Sequence, residues 1–566
     1  MSEGPVSMAM HIHASFSEGG SWAAGGGAGS MVAHLQQAQE HGVDVIWWTE
    51  HDWRMQAYGY CPGLDFDGTD ERTNLEWFVQ QDGPVTEAEH RFADGGGLHV
   101  TATGPEAEWG TSLSWPKAGN SFYATNLADT TLTLDVRGEQ VGPDAEVLVE
   151  LETSYRPSLG GRPAGLYRLR YVLADRSDRE LESPLIGVIR VEATGEMQQL
   201  SIRPLEDIAA FWPDLVAEDS ALPRIRLGVR ARAGATAAGT FGQLRIERTR
   251  DPLHWPVRQQ AELMRTLQPH YPQVTQYASA EISMVRHLNV FMADFELYPY
   301  PPRGQAPVMD DSAEATAAVV RWYQDRGALV QYNHPPITQA ARSELVRTRA
   351  LGADLMEVVN GNSPAPMLRA RLEMLDIAAR NGIFLTAGSG SDDHVGRDWL
   401  TSKQPFITTV WARSRTLPDL IAALGSGRAW VHHLGEWRDA RMDLRIDGQP
   451  VMGGVLTTEA ESALVEVVTN APTGARIHVI AGACDRGGAG PSWDRKLAPA
   501  DRPLSIRLER GGGRYLRIEV YDKDGALLGF GNPFWLLPAD TDIAIPERRR
   551  LAMALNRDTA RSMLRS

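Results

Sequence analysis

The hydrophobic period changes along the chain, and this change limits the folds that the chain can adopt. Residues 7–52 read as a strand, a glycine-rich loop, an amphipathic helix and a second strand, whereas residues 84–250 alternate apolar and polar positions. Strand-sized and helix-sized segments alternate again from 274 to 394, and two-residue alternation returns beyond 436. A period of two indicates half-buried strands, and a repeated strand–helix order indicates βα units. The pattern predicts a βα domain, either a barrel or an open parallel sheet, that an antiparallel sandwich interrupts.

Composition limits the classes of partner. The chain has 566 residues, of which 43% are hydrophobic, so we expect several cores. A net charge of -16 and a pI near 5.5 disfavour nucleic acid as a partner. Cys61 and Cys484 are too few for a disulfide framework or a cysteine zinc site. The first ten residues lack a secretory signal, and no run reaches the roughly 18 apolar residues of a membrane span. We therefore expect a cytoplasmic protein with no membrane partner.

The first strand ends in a pair of histidines, His11 and His13. Residues at i and i+2 of a strand point to the same face, so both imidazoles can reach one ion. Glu18 follows just beyond the strand and can reach a neighbouring ion. Paired histidines are also common as packing or surface residues, so the pair alone leaves a metal role open.

Further polar residues stand at the ends of later strands. They are His51 and Asp52 with Glu50, then Glu281, His287, Asn333 with His334, Glu357, and Asp392 with Asp393 and His394. The active sites of βα barrels lie at the carboxyl ends of their strands. One histidine on a strand is usually structural, but six at successive strand ends favour a shared metal site.

These motifs resemble those of the PHP superfamily, metal-dependent hydrolases named for polymerase and histidinol-phosphatase domains. The likeness rests on His11-Ile12-His13 with Glu18, Thr49-Glu50-His51-Asp52, Glu281, His287, His334 and the closing Gly390–His394 stretch. The stretch WTEHDWR at 48–54 and the GNPFW sequence at 531–535 are similar to the CehA/McbA branch, named for carbaryl hydrolases. Glu50 stands where the family motif has Asp, and Glu18 stands where many relatives have Asp.

The resemblance implies a fold and a domain order. The fold is of the α/β class, a distorted (β/α)7 PHP barrel with an inserted jelly-roll-like β-sandwich and a C-terminal β-sandwich. The boundaries that we predict are 1–83 and 251–435 for the two parts of the barrel, 84–250 for the insertion, 436–540 for the second sandwich and 541–566 for a helical tail.

The resemblance also implies two or three divalent ions, of Zn, Mn or Fe, since geometry and supply decide among these metals. The expected ligand sets are His11, His13, Glu281 and Asp392 for one ion, Glu281, His287 and His334 for a second, and Glu18, His51 and His394 for a third. Glu281 would bridge two ions.

We expect this site to cleave an ester bond, either a phosphoester or a carboxyl-type ester, of a small molecule through a hydroxide generated on the metals. The predicted catalytic residues are Asp52, Glu281 and His334; Asp52 either protonates the leaving oxygen or orients a histidine ligand. The alternatives are a carbamate or amide hydrolase and a non-catalytic carbohydrate-binding protein. The sequence is compatible with a homo-oligomer.

Four residues beside the motifs are predicted to bind substrate. Trp53 and Tyr332 are candidates for an aromatic pocket wall, although strand and near-strand aromatics are more often core. Arg54 and Arg397 are candidates for clamps on a phosphate, although most arginines lie in solvent or in surface ion pairs.

Overall fold

The computed structural model describes residues 3–17, 28–56, 63–64, 66, 75–92, 97–116, 126–248, 250, 254–300, 309–491, 493–500 and 502–553. Glu18 and the part of the predicted helical tail beyond 553 lie outside the described residues, and so does the side chain of Arg54.

The chain folds mainly into strands. The first part contains β1 (Gly4–Ala9), α1 (Met31–His41), β2 (Val45–Trp48) and α2 (Asp52–Met55). The second contains β3 (Gly63–Leu64), β4 (Leu75–Asp82), β5 (Glu87–Phe92), β6 (Leu98–Thr103), β7 (Glu106–Pro116), β8 (Thr131–Gln140), β9 (Ala145–Arg156), β10 (Gly165–Ala174), β11 (Asp178–Ser183), β12 (Ile186–Glu192), β13 (Gln198–Ile202), α3 (Pro204–Phe211), β14 (Arg224–Arg232) and β15 (Thr236–Glu247). 

The third part contains α4 (Trp255–Leu267), β16 (Thr275–Ala278), β17 (Glu281–Ile282), β18 (Leu288–Phe291), α5 (Ala313–Gln324), β19 (Leu329–Tyr332), α6 (Gln339–Thr348), β20 (Leu355–Asn360), α7 (Ala365–Arg380), β21 (Thr386–Gly390), β22 (Phe406–Ala412), α8 (Leu417–Ser426) and β23 (Ala429–His433). The last contains β24 (Met442–Ile446), β25 (Gln449–Pro450), β26 (Val455–Thr458), β27 (Ser462–Thr469), β28 (Arg476–Ala483), β29 (Trp493–Pro499), β30 (Leu504–Glu509), β31 (Arg514–Tyr521), β32 (Leu527–Gly531) and β33 (Phe534–Pro538).

Two sheets carry the strand ends that the sequence singles out. An eleven-stranded sheet has the order β16-β2-β1-β22-β23-β32-β31-β28-β29, with β33 and β26 branching from β31. A five-stranded sheet has the order β17-β18-β19-β20-β21. Isolated bridges join the two sheets, between Ile12 and Asp393 and between His51 and Glu281. These bridges bring the ends of β1, β2, β17 and β21 together.

The predicted α/β class with a (β/α)7 barrel was wrong. The described residues form 33 strands and eight α-helices, and the strands expected to close one barrel lie in two separate sheets. Several of them pair antiparallel: β1 with β22, β17 with β18, and β18 with β19. Only residues 283–287 join β17 to β18. A parallel crossover needs a dozen or more residues, so this connection forces a hairpin.

The segment between β2 and α4 contributes two further sheets, β11-β12-β10-β9-β14-β7-β4 and β13-β8-β15-β6-β5 with β3 on β15. Both contribute to one hydrophobic core. We call them the inserted sheets. They attach to the first helix through Asp219, whose carboxylate accepts the N–H groups of Met31 and Val32 at 2.8 and 3.1 Å. Asn126 donates to the carbonyl of Ser15 at 3.2 Å, close to the first histidines.

None of the helices in the described ranges is both long enough and apolar enough to cross a membrane.

Candidate metal centre

Six imidazoles and two carboxylates meet where the two sheets join. They are the side chains of His11, His13, His51, His287, His334, His394, Glu281 and Asp392. Three groups have ligand atoms within 4.8 Å of one another: His13 with His51 and His394, His11 with His13 and Glu281, and His51 with Glu281 and His287. The residues come from strand ends as far apart in sequence as 11 and 394, and the bridges between the sheets bring them together.

Glu281 lies at the centre of this cluster. Its Oε1 is 3.2 Å from His11 Nε2, 3.0 Å from His287 Nδ1 and 3.3 Å from His334 Nε2. Its Oε2 is 2.9 Å from His51 Nδ1 and 3.6 Å from His13 Nε2. Both oxygens therefore face imidazoles, and each faces a different subset, as a carboxylate that bridges two ions would.

Asp392 closes the cluster on the side of the first strand. Its Oδ1 is 3.2 Å from His13 Nε2 and 3.5 Å from His11 Nε2. The rings of His13 and His394 stack with centroids 4.1 Å apart. Asp392 and His334 both have positive φ, 52° and 25°. Such a conformation costs energy in a residue other than glycine, and strain of this kind is concentrated at functional sites.

Several polar atoms of the cluster are buried without a hydrogen bond. They are Nε2 of His11, His13 and His394, and Oε2 of Glu281. Three of these four atoms lie within 3.2 Å of a carboxylate oxygen or an imidazole nitrogen, but none of the four makes a hydrogen bond. Native structures seldom leave several buried polar atoms without a hydrogen bond in one place. Imidazole nitrogens and carboxylate oxygens are ligands of Zn, Mn and Fe. The residues thus fit a group of divalent ions, which would satisfy these atoms.

The protonation of His13 and of the two carboxylates also fits a metal site, whereas the carboxylates of Glu281, Glu357 and Asp392 outweigh burial and raise the pKa of His11 well above its usual range. Burial and the neighbouring His394 and His51 lower the pKa of His13 well below its usual range, so this imidazole is neutral and free to bind metal. Burial alone would raise the pKa of Glu281, but the surrounding imidazoles, His287 first, lower it well below the usual range. Asp392 has a lowered pKa for the same reason, with His11 as the main cause. Both carboxylates are therefore ionised.

A second set of residues orients the histidines. Glu357 Oε1 is 2.9 Å from His11 Nδ1, and Glu357 Oε2 accepts the backbone N–H of His334 at 2.6 Å. A carboxylate on Nδ1 leaves Nε2 deprotonated and directed into the cluster. The hydroxyls of Ser17 and Ser283 lie 3.1 and 2.6 Å from Nδ1 of His13 and His51. The sequence placed Glu357 at a strand end but assigned it no role.

Asn333 holds the central carboxylate. Its Nδ2 donates to Glu281 Oε1 and to Asn289 Oδ1, both at 2.8 Å. Gln331 donates to Asn333 Oδ1 at 3.0 Å, and Asn289 donates to the carbonyl of Met10 at 2.9 Å. All three amides are buried. This chain of amides crosses from β19 to β18 and β1, and sequence reasoning missed it because the signal is only an Asn beside a histidine.

The remaining predicted site residues lie around the cluster. Asp52 accepts the backbone N–H groups of Ser283 and Trp53, each at 2.8 Å, and burial raises its pKa to about 6. Asp52 therefore holds the backbone of Ser283, whose hydroxyl lies beside His51, and this contact suits a residue that orients His51. Tyr332 is buried, Trp53 is half-buried and Arg397 is exposed, with its guanidinium 5.2 Å from the ring centroid of Tyr155.

Comparison with known proteins gives no family match: no family model and no curated protein matches the chain. Solved structures give partial likenesses. The catalytic domain of Humicola grisea Cel12A with a soaked thio cellotetraose has 13% identity over 27% of this chain and 85% of its own, with a TM-score of 0.17. A family 11 carbohydrate-binding module from Clostridium thermocellum has 11% identity over 33% and 95%, with a TM-score of 0.19. Endoglucanase cel12A from Rhodothermus marinus has 11% identity over 33% and 99%, with a TM-score of 0.21. TM-scores this low support no conclusion about function.

Proposed function

We propose that the protein is a metal-dependent hydrolase that cleaves an ester bond of a small molecule, with two or three divalent ions of Zn, Mn or Fe. The observation that carries the proposal is Glu281, whose two oxygens face five imidazoles while three imidazole nitrogens of the cluster lack a hydrogen bond. The motifs that resemble those of the PHP superfamily supply all eight side chains of the cluster.

Bound ions of this kind polarise the oxygen of a scissile bond and lower the pKa of water. The chain's own residues would hold them, and among the described residues one side of the cluster is more exposed than the other. His11 and His13 have fully buried side chains, whereas those of His287 and His334 are 33% and 28% exposed. The substrate therefore approaches past His287 and His334, and the His11 and His13 side excludes water.

Experiment decides which class of bond the protein cleaves, because several substrates suit a site of this kind. A phosphoester and a carboxyl ester both present an oxygen that a cationic site can polarise, and a carbamate presents the same carbonyl oxygen. The carbamate or amide reaction is the alternative within the same site. In each case Asp52 accepts the backbone N–H of Ser283, and the hydroxyl of Ser283 lies beside His51 Nδ1.

Two measurements test the proposal. The first is elemental analysis of the purified full-length protein, for which we expect two or three divalent ions per chain. The second compares hydrolysis of aryl phosphate mono-, di- and triesters, aryl acetates and aryl methylcarbamates that share one leaving group. The class with the highest kcat/KM identifies the bond, and turnover of the carbamates alone would favour the alternative.

Matched variants separate the site from general damage. His11→Ala and Asp392→Asn should lose metal and at least 100-fold in kcat/KM. His270→Ala removes an exposed histidine of the same chain and should leave both unchanged. A metal-free protein that hydrolyses none of the esters, or a His11→Ala variant with full activity, would contradict the proposal.

A further inference from the structure

One end of the eleven-stranded sheet is β29, which forms an open edge in the part of the chain that the structure describes. β29 pairs antiparallel with β28, and within the described ranges no strand pairs with its other side. An open edge presents N–H and C=O groups that can pair with another strand. The side chains along the edge are exposed: Leu497 by 65%, Asp494 by 78% and Trp493 by 36%.

The sequence of β29 is complementary to itself when two copies run antiparallel. A two-fold axis perpendicular to the sheet at Arg495 places Asp494 opposite Lys496 of a second copy, and Trp493 opposite Leu497 of that copy. Because the axis is perpendicular to the sheet, opposite residues share a face, and each pair occurs twice. Opposite charges and apolar side chains directly across two strands stabilise their pairing.

Neighbouring registers lack this complementarity. An axis at Asp494 places that carboxylate opposite its own copy, and an axis at Lys496 does the same with two ammonium groups. Like charges directly opposite each other destabilise a strand pair. The register centred on Arg495 places this residue opposite its own copy, between two Asp–Lys pairs and two Trp–Leu pairs.

We propose that the protein forms a two-fold homodimer in which β29 pairs antiparallel with β29 of a second copy, in the register centred on Arg495. The two eleven-stranded sheets then become one continuous sheet across the dimer. A lysine on an open edge usually opposes pairing because it has no counter charge there. In this register Asp494 supplies one, although within its own chain it lies 3.9 Å from Arg514. The proposal is independent of the hydrolase function.

Sedimentation equilibrium of the full-length protein tests the pairing, because charge swaps report on the register. Lys496→Asp and Asp494→Lys each turn two attractive pairs into two repulsive ones, so each should raise the dimer Kd about tenfold or more. The double variant with both changes restores two opposite-charge pairs and should return the Kd to within about threefold of the original. Leu497→Lys should also weaken the dimer.

Leu464→Lys is the control, since Leu464 is a 40% exposed leucine on β27, in another sheet. It should leave the dimer Kd unchanged. A protein that stays monomeric at 100 times the protein concentration of the hydrolysis assays would overturn the proposal. So would a dimer that Leu464→Lys breaks and Leu497→Lys does not, or single charge swaps that the double variant fails to rescue. Circular dichroism confirms that every variant is folded.

Discussion

Replacement of Glu519 by Gln should destabilise the protein at neutral pH, because this carboxylate lies in a buried charge network between α7 and β31. Its side chain is fully buried, and Oε1 lies 2.8 Å from Arg517 Nη1. Oε2 accepts from the Tyr521 hydroxyl at 2.5 Å and lies 3.2 Å from Arg369 Nη1. Arg517 in turn donates two bonds of 2.7 Å to Asp376 of α7.

The size of the effect follows from the pKa of Glu519. Burial alone would raise this pKa, but Arg517 and Arg369 lower it from 4.5 to about 2. A shift of that size corresponds to about 3 kcal/mol of stability. The folded-state pKa is the lower one, so the contribution is complete above pH 4.5 and is lost as the pH falls towards 2. Glu519→Gln should thus lower the free energy of unfolding by about 3 kcal/mol at pH 7.

Thermal and urea unfolding of the variant and the original protein measure this difference. For a cooperative unit of about 150–250 residues, 3 kcal/mol lowers the Tm by roughly 6–12 °C. The difference should stay constant from pH 8 to pH 5 and narrow only below about pH 4. Glu509→Gln is the control, since Glu509 is 60% exposed and pairs with an exposed arginine. It should change the stability by less than about 0.5 kcal/mol. A Glu519→Gln difference below 1 kcal/mol, or one that narrows between pH 8 and 5, would refute the reasoning.

Three further predictions concern the candidate metal centre. Asn333→Ala removes a hydrogen bond to the Glu281 carboxylate and should weaken metal binding roughly 10–100-fold in a chelator competition, with metal content as the readout. Unchanged metal affinity would show that Asn333 does not position Glu281. Removal of metal with a chelator should lower the Tm, because ions present at about 100 times their Kd add about 2.7 kcal/mol, and re-addition should restore it; a Tm that does not respond to chelation contradicts a loaded site. Gly390→Ala should reduce metal content, because a Cβ there collides with Glu357 Oε1 and with His11 Cβ. Gly142→Ala is the control and should not affect metal content, because a Cβ there has no atom within 4 Å.

The sequence predicts which polar residues lie together better than it predicts the sheets. His11 and His13 share a face because of the two-residue period of a strand, and the structure brings them to Glu281 and Asp392. The sequence pattern did not predict the direction in which neighbouring strands pair. A strand–helix alternation does not state whether neighbours pair parallel, and the five residues between β17 and β18 make a hairpin that the pattern concealed.

The supporting residues were also beyond a reading of the sequence. Glu357 and Asn333 act through hydrogen bonds to residues 346 and 52 positions away in the chain. Such contacts depend on which strands become neighbours, and the period of a single segment carries no record of them. Glu18 lies outside the described residues, so its predicted place in a third ligand set stays a prediction.

The contact of Asp219 with the start of α1 has a consequence for any attempt to shorten the protein. α1 carries His34, whose ring Nε2 is 2.8 Å from the carbonyl of His13. A chain that joined residue 56 directly to 254 would leave the N–H groups of Met31 and Val32 without their acceptor and would release Ser15 from Asn126. The inserted sheets thus support the segment that carries the first two histidines. A shortened chain would need another support for the segment that carries His11 and His13.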